Sequence, residues 1–218
     1  MPPLTHLRRY PASASRAFRH LLVAACASLV VAISALAPEV QAQSSSEDAG
    51  AAIAASERAA RLDTLFKELD RALDETEAAA ITNRIWETWL RSGKVSRDAA
   101  MNRIVAAMGR RDLATAYDLS SELVREEPND AEAWNKRATI NFMLSRYDAS
   151  LADIKRVLAL EPRHFGALSG RALCLTEKGD KEGALAAIEA ALQINPFLRG
   201  AKNIVERNGG TWRPRRPI

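Results

Sequence analysis

Residues that carry chemistry are scarce in this chain. Two cysteines and three histidines occur in 218 residues. His6, His20 and Cys26 fall within the first 42 residues, which leaves Cys174 and His164 for the rest. One cysteine cannot form an intramolecular disulfide in any compartment. One His and one Cys cannot assemble a zinc site of those ligands within one chain. No G-x-G-x-x-G, Walker loop, H-E-x-x-H or G-x-S-x-G is present. Gly166-Ala167-Leu168-Ser169-Gly170 approaches the last, but its Ser stands one place too late and inside a predicted helix rather than on a strand-to-helix elbow. No catalytic residue, metal or cofactor is therefore expected. Glycine (ten) and aromatics (6%) are also few, and long Ala/Leu/Glu/Arg-rich stretches favour helix over strand.

Positive charge is concentrated at the N-terminus. Residues 1–42 hold Arg8, Arg9, Arg16 and Arg19 against Glu39 alone, so of the net +4 only about +1 belongs to residues 43–218. A nearly neutral body gives no footing for nucleic-acid binding. Leu21 to Ala37 then run 17 residues without a charge, and Val40-Gln41-Ala42 offers small residues at −3 and −1 of a signal-peptidase site. Residues 1–42 are expected to be a cleaved secretory signal, placing the mature chain, from Gln43, in the periplasm or outside the cell. A run of 17 also reaches the lower limit of a membrane span. The alternative is a chain anchored in the inner membrane, with membrane contact only if that segment is retained. Cys26 has most of the apolar run after it, unlike a lipoprotein cysteine. Cys174, within Ala172-Leu173-Cys174-Leu175, is expected to be a small buried hydrophobe.

What remains has a period. Glu127-Pro128, Glu161-Pro162 and Asn195-Pro196 recur at intervals of 34. In registers starting at Arg97, Ala131 and Phe165, position 8 is Ile104, Ala138 and Ala172, position 20 is Ala116, Ser150 and Ala184, and position 24 is Ser120, Ile154 and Ile188. The pattern predicts paired helices that approach closely at the small positions, with proline closing each second helix. One such pair cannot bury its apolar face alone, so several must stack.

This resembles the tetratricopeptide-repeat (TPR) family, on Trp134, Ala138, Ser150, Ile154 and Pro162 in the second register and Leu168, Ala172, Ala184, Ile188, Ala191 and Pro196 in the third. The resemblance implies an all-α fold, a TPR-type right-handed α-solenoid of antiparallel helix pairs. It divides the chain into a lead-in at 43–55, a divergent N-terminal helical hairpin at 56–96 that caps the stack, repeats at 97–130, 131–164 and 165–198, a capping helix at 199–210 and a basic tail at 211–218. In the hairpin, Phe66, Leu69, Leu73, Trp86 and Trp89 take the repeat's apolar positions.

The resemblance also implies a non-catalytic scaffold that binds protein or peptide partners in a groove lined by positions 2, 5, 9, 12 and 13. The candidate anchors are Met101, Val105, Asn135, Thr139, Phe142, Ser169, Leu173 and Thr176. Met101 and Val105 stand where some co-chaperone TPRs need Lys and Asn to clamp a carboxylate, so an apolar segment or helix is the expected ligand. Position 7 is Arg in every repeat: Arg103, Arg137 and Arg171. These form either an anion-binding ladder or, as expected, structural pairs with acids such as Glu127, Asp153 or Glu161. His164, at an inter-repeat turn, is expected to be solvated, as are the numerous carboxylates.

Overall fold

A computed structural model describes Gly50 and residues 52–213. The leader at 1–42 and the end of the basic tail lie outside the described residues, which form nine helices and no strand. The first, α1, spans 52–71, so residues 52–55, expected in the lead-in, are helical. It is followed by α2 (Glu75–Leu90), α3 (Val95–Gly109), α4 (Leu113–Glu126), α5 (Ala131–Met143), α6 (Tyr147–Leu160), α7 (Phe165–Glu177), α8 (Lys181–Ile194) and α9 (Ala201–Arg207).

Local chemistry sets these boundaries. Asp74, Asp112, Asp130 and Asp180 cap α2, α4, α5 and α8 by accepting from backbone N–H groups of the first turn. Glu127, Glu161 and Asn195 end α4, α6 and α8 just before the prolines at 128, 162 and 196, where the residue preceding proline is pushed out of helical geometry. Inside each repeat, position 15 turns the chain with positive φ: Arg111 (58°), Ser145 (58°) and Gly179 (81°). Only the third of these is a residue suited to that conformation.

Small residues bring the paired helices together. Ser150 Oγ donates to Ala138 O at 2.8 Å across α5 and α6, and Ala116, Ala172 and Ala184 are fully buried. One apolar cluster lies among α3, α4 and α5, around Met101, Ile104, Leu123 and Ile140. A second joins α5, α6 and α7 through Ala138, Ile154, Val157 and Cys174.

The N-terminal hairpin departs from the sequence reading. It does not stack before α3 as a fourth repeat. Leu62, Leu65 and Leu69 of α1 and Ala78, Ile81, Ile85 and Trp89 of α2 instead share the largest core cluster with Phe165 and Leu168 of α7, Ile188 of α8 and Ile204 of α9. The reason lies on α3, whose open face carries Ala99, Asn102, Arg103 and Ala106, all exposed. Such a surface returns little for covering it, whereas the aromatic residue opening α7 gives the apolar stripe of the hairpin a partner. Leu73, expected inside the hairpin, lies between α1 and α2 and is 68% exposed.

Candidate functional site

The surface expected to be an open groove is partly filled by the chain itself. Trp86 of α2 inserts against the start of α7, its ring 5.5 Å from that of Phe165 and nearly perpendicular to it. Gly166 makes the insertion possible: an ideal Cβ there would stand 2.4 Å from Trp86 Cη2. Asn195, buried, donates through Nδ2 to Thr82 Oγ1 at 3.0 Å, tying α2 to the end of α8. Asp63 of α1 pairs with Arg163 at 2.7 Å.

Beneath the hairpin lies a buried polar cluster that the sequence reading missed. His164 is fully buried and stacks on Trp89, centroids 3.9 Å apart and planes 8° from parallel. Its Nδ1 accepts the Ala167 N–H at 3.0 Å, capping α7, so the ring proton sits on Nε2 and is donated to Glu132 Oε2 at 3.1 Å. Asn135 Nδ2 donates to the same oxygen at 2.9 Å, and the Lys136 ammonium pairs with Oε1 at 2.5 Å. Burial works against an ionised Glu132, but the Lys136 charge and then the His164 hydrogen bond outweigh it and bring the carboxyl down to about 2. His164 is therefore not a solvated turn residue, and Glu132 and Asp153 are exceptions to the expectation of solvated acids. The signal available in the sequence was register: His164 occupies the position of the helix cap Asp130, one repeat on.

Between α2 and the faces of α5 and α7 a cleft of about 480 Å³ remains. One wall is Thr82, Asn83 and Trp86 of α2. The other is Asn135, Thr139 and Phe142 of α5, with Ser169, Gly170 and Leu173 of α7. Five of the eight anchors expected from sequence, Asn135, Thr139, Phe142, Ser169 and Leu173, thus share one cavity. The other three do not join it. Met101 is 1% exposed and belongs to the core of the first repeat, because position 5 of α3 points at α4 and α5 rather than at solvent. Val105 is 44% exposed but away from the cleft. Thr176 donates to Ala172 O and accepts from Asn208 Nδ2, which secures α9. Asn135 is largely committed to Glu132, and Phe142 is half-buried against Tyr147 rather than protruding.

The three position-7 arginines do not act alike. Arg137 makes two bonds to buried Asp153, at 2.9 and 2.6 Å, and stacks over Trp134. Arg103 and Arg171 are exposed, and among the described residues no carboxylate pairs with either. Register explains the difference: the place of Asp153 is taken by Leu119 and Ala187 in the neighbouring repeats. A different arginine, Arg97, is the buried one. It reaches Asp130, Asp98 and the carbonyls of Trp89 and Leu90, fastening the end of α2 to the first repeat. Cys174 is buried with Sγ 3.3 Å from Ser150 Oγ, and burial pushes its thiol up, as for an unreactive core residue.

The comparisons agree with this architecture. The tetratricopeptide-repeat family model matches residues 143–198. A TPR repeat-containing protein of Rhizobium etli is 40% identical over 145 residues, 66% of this chain and 71% of that one. The TPR2B domain of yeast Sti1, solved in its pHsp70 complex, superposes with a TM-score of 0.51 at 16% identity over 53% of this chain and 98% of that domain. The Arabidopsis OM64 TPR domain gives 0.50 at 18% identity, over 52% and 93%. At these identities the two structures speak to the fold alone. The relative, aligned over most of its length, carries the kinship, and the chain belongs to the family of tetratricopeptide-repeat proteins.

Proposed function

We propose that this protein is an exported, non-catalytic scaffold that recruits a protein partner in the cell envelope through the cleft between α2 and the helices α5 and α7. The observation that carries the reading is the composition of that cleft. Two facing walls mix aromatic and aliphatic side chains with neutral amides and hydroxyls, the lining of a recognition site rather than of a reaction centre. The near-neutral body argues against nucleic acid as the partner, and Cys174 and His164, the reactive side chains in the described residues, are committed to packing and capping.

Export rests on the Arg-rich start, the apolar run Leu21–Ala37 and the Val40-Gln41-Ala42 site. Among the described residues no helix is long and apolar enough to cross a membrane. Affinity capture with the mature chain from an envelope extract should recover a partner that is lost when cleft residues are changed. Recovery of nothing above background under several growth conditions would refute the scaffold reading. Finding Gln43 as the N-terminus in the soluble fraction supports export with cleavage. A full-length, membrane-held chain would replace it by an anchored assembly factor.

A further inference from the structure

The geometry points to a specific class of ligand for this cleft: a short, extended, uncharged peptide segment carrying one bulky apolar side chain, read in part by Trp86, a residue outside the repeats. The inference rests on the scaffold reading and narrows it.

Width comes first. An α-helix with its side chains is about 10 Å across. The helix-wide part of the surface is already taken by α2, which touches α7 through Trp86 and the end of α8 through Thr82. A second helix cannot lie between them. The space left, about 480 Å³, is in the range of pockets that enclose a ligand of drug size, on the order of four extended residues.

Shape comes second. Two glycines lie one turn apart on α7 and both line the cleft. Gly166 is used up in admitting Trp86. Gly170 is not: a Cβ built there would meet only Ile154 Cδ1, at 3.5 Å. Glycine inside a helix is unfavourable, and no packing contact within the chain demands one at 170. Its effect is to leave a depression in the cleft lining beside Ile154 that suits a large apolar side chain.

Charge comes third. The Lys136 ammonium is neutralised by buried Glu132. The remaining charged residues of the lining, Glu75 and Arg199, are of opposite sign and exposed. With no net charge to satisfy, the cleft has no preference for an acidic segment or a terminal carboxylate. Asn83 and Ser169 instead offer neutral donors and acceptors to a peptide backbone.

The test uses the full mature chain and a phage-displayed library of random heptapeptides flanked by Gly-Ser on both sides, so that neither terminus is free. Enriched inserts should carry one aromatic or branched aliphatic residue among neutral ones. A synthetic peptide of the leading sequence should lose at least tenfold in affinity to Gly170→Leu, which fills the depression from a position where a Cβ meets only an ordinary contact, and to Thr139→Arg, a change at an exposed residue of α5 on the same wall. Both variants should keep the wild-type circular dichroism. The inference is overturned if the winners are acidic, if they are amphipathic helices with apolar residues at i, i+3, i+4 and i+7, if neither variant weakens them, or if nothing is enriched. Envelope capture separates the two levels: a partner that still binds Gly170→Leu and Thr139→Arg leaves the scaffold standing and removes this cleft from it.

Discussion

The pair Gly166 and Gly170 permits a direct test of where the hairpin sits. Both are in α7, and both can be changed to alanine. At Gly170 the added methyl makes an ordinary contact of 3.5 Å with Ile154 Cδ1. The helix-propensity gain of about 1 kcal/mol should then appear in full, raising the melting temperature by roughly 2–4 °C for a chain of this size. At Gly166 the same methyl would lie 2.4 Å from Trp86 Cη2, 2.9 Å from Cζ2 and 3.3 Å from His164 Cε1. The Trp86 ring cannot simply swing aside. It is boxed by Trp89 at 5.2 Å, Phe165 at 5.5 Å and His164 at 5.6 Å, all edge-on. Overpacking of this kind costs about 1–3 kcal/mol, and the propensity gain is smaller in the first turn of a helix. Gly166→Ala should therefore melt several degrees below wild type while Gly170→Ala melts above it.

Thermal and urea denaturation followed by circular dichroism reads both. Trp86→Phe deletes the two crowding atoms, so adding it to Gly166→Ala should recover part of the loss, a coupling of about 1–2 kcal/mol in a double-mutant cycle. If Gly166→Ala melts at or above wild type, Trp86 is not seated on α7, and the account of the filled groove fails with it.

Other expectations follow from single features. Arg111→Gly and Ser145→Gly place glycine where the backbone already has positive φ, so each should stabilise by about 1 kcal/mol in the same denaturation assay. Arg97→Met leaves Asp130 and the carbonyls of Trp89 and Leu90 without their buried partner, at a cost of about 3 kcal/mol or more. Arg137→Ala leaves buried Asp153 without its cation, with Asn141 Nδ2 still donating to it, and should cost about 2 kcal/mol, while Arg103→Ala and Arg171→Ala, both at exposed sites, should stay within about 0.5 kcal/mol of wild type. A uniform loss across the three would mean that the ladder acts as a unit. The Glu132 carboxyl, held at about 2 against an ordinary 4.5, gives stability that is complete above the ordinary value and drains away as pH falls toward 2. The urea midpoint should drop through that window. Glu132→Gln should flatten the decline, and an unchanged acid limb would refute the assignment.

The repeats were legible because they are repetitive. Prolines at 128, 162 and 196 and small residues at positions 8 and 20 report local geometry that recurs, and each instance corroborates the others. The short helix Ala201–Arg207 before Gly209-Gly210 was visible for a similar reason, since apolar residues and a glycine stop suffice to mark it. Where the hairpin goes was not legible. Leu62, Leu65 and Leu69 announce an apolar stripe, but a stripe does not name its partner, and the residues that receive it at Phe165 and Ile188 lie about a hundred positions away. The burial of His164 escaped for the same reason: a histidine at a turn is solvated unless something covers it, and what covers it is Trp89 from the far hairpin. Met101 was misplaced by the periodicity itself, since position 5 at the first repeat faces the core and only in later repeats borders the cleft.

Position 2 of the repeats connects these points. In the family's groove it is a ligand position, yet here all three of its occupants serve the hairpin. Asp98 accepts from Ser92 N, Ser92 Oγ and Gly93 N, closing the link between α2 and α3. Burial disfavours its charge, but those hydrogen bonds hold the carboxyl below its usual range. Glu132 receives the His164 proton beneath Trp89. Gly166 is bare so that Trp86 can enter. Three chemically unrelated residues at one register position make sense only if the hairpin is a fixed part of the fold. The packing agrees, because Leu65, Leu69, Ile85 and Phe165 are each 0% exposed at its interface. Opening it would expose several large side chains at about 1.5–3 kcal/mol apiece, comparable with the 5–15 kcal/mol that holds a whole domain together. The hairpin is thus a wall and not a lid. On the proposed scaffold reading, a partner would meet it already in place, with recognition left to positions 5, 6, 9 and 12 of the repeats together with the exposed edge of α2.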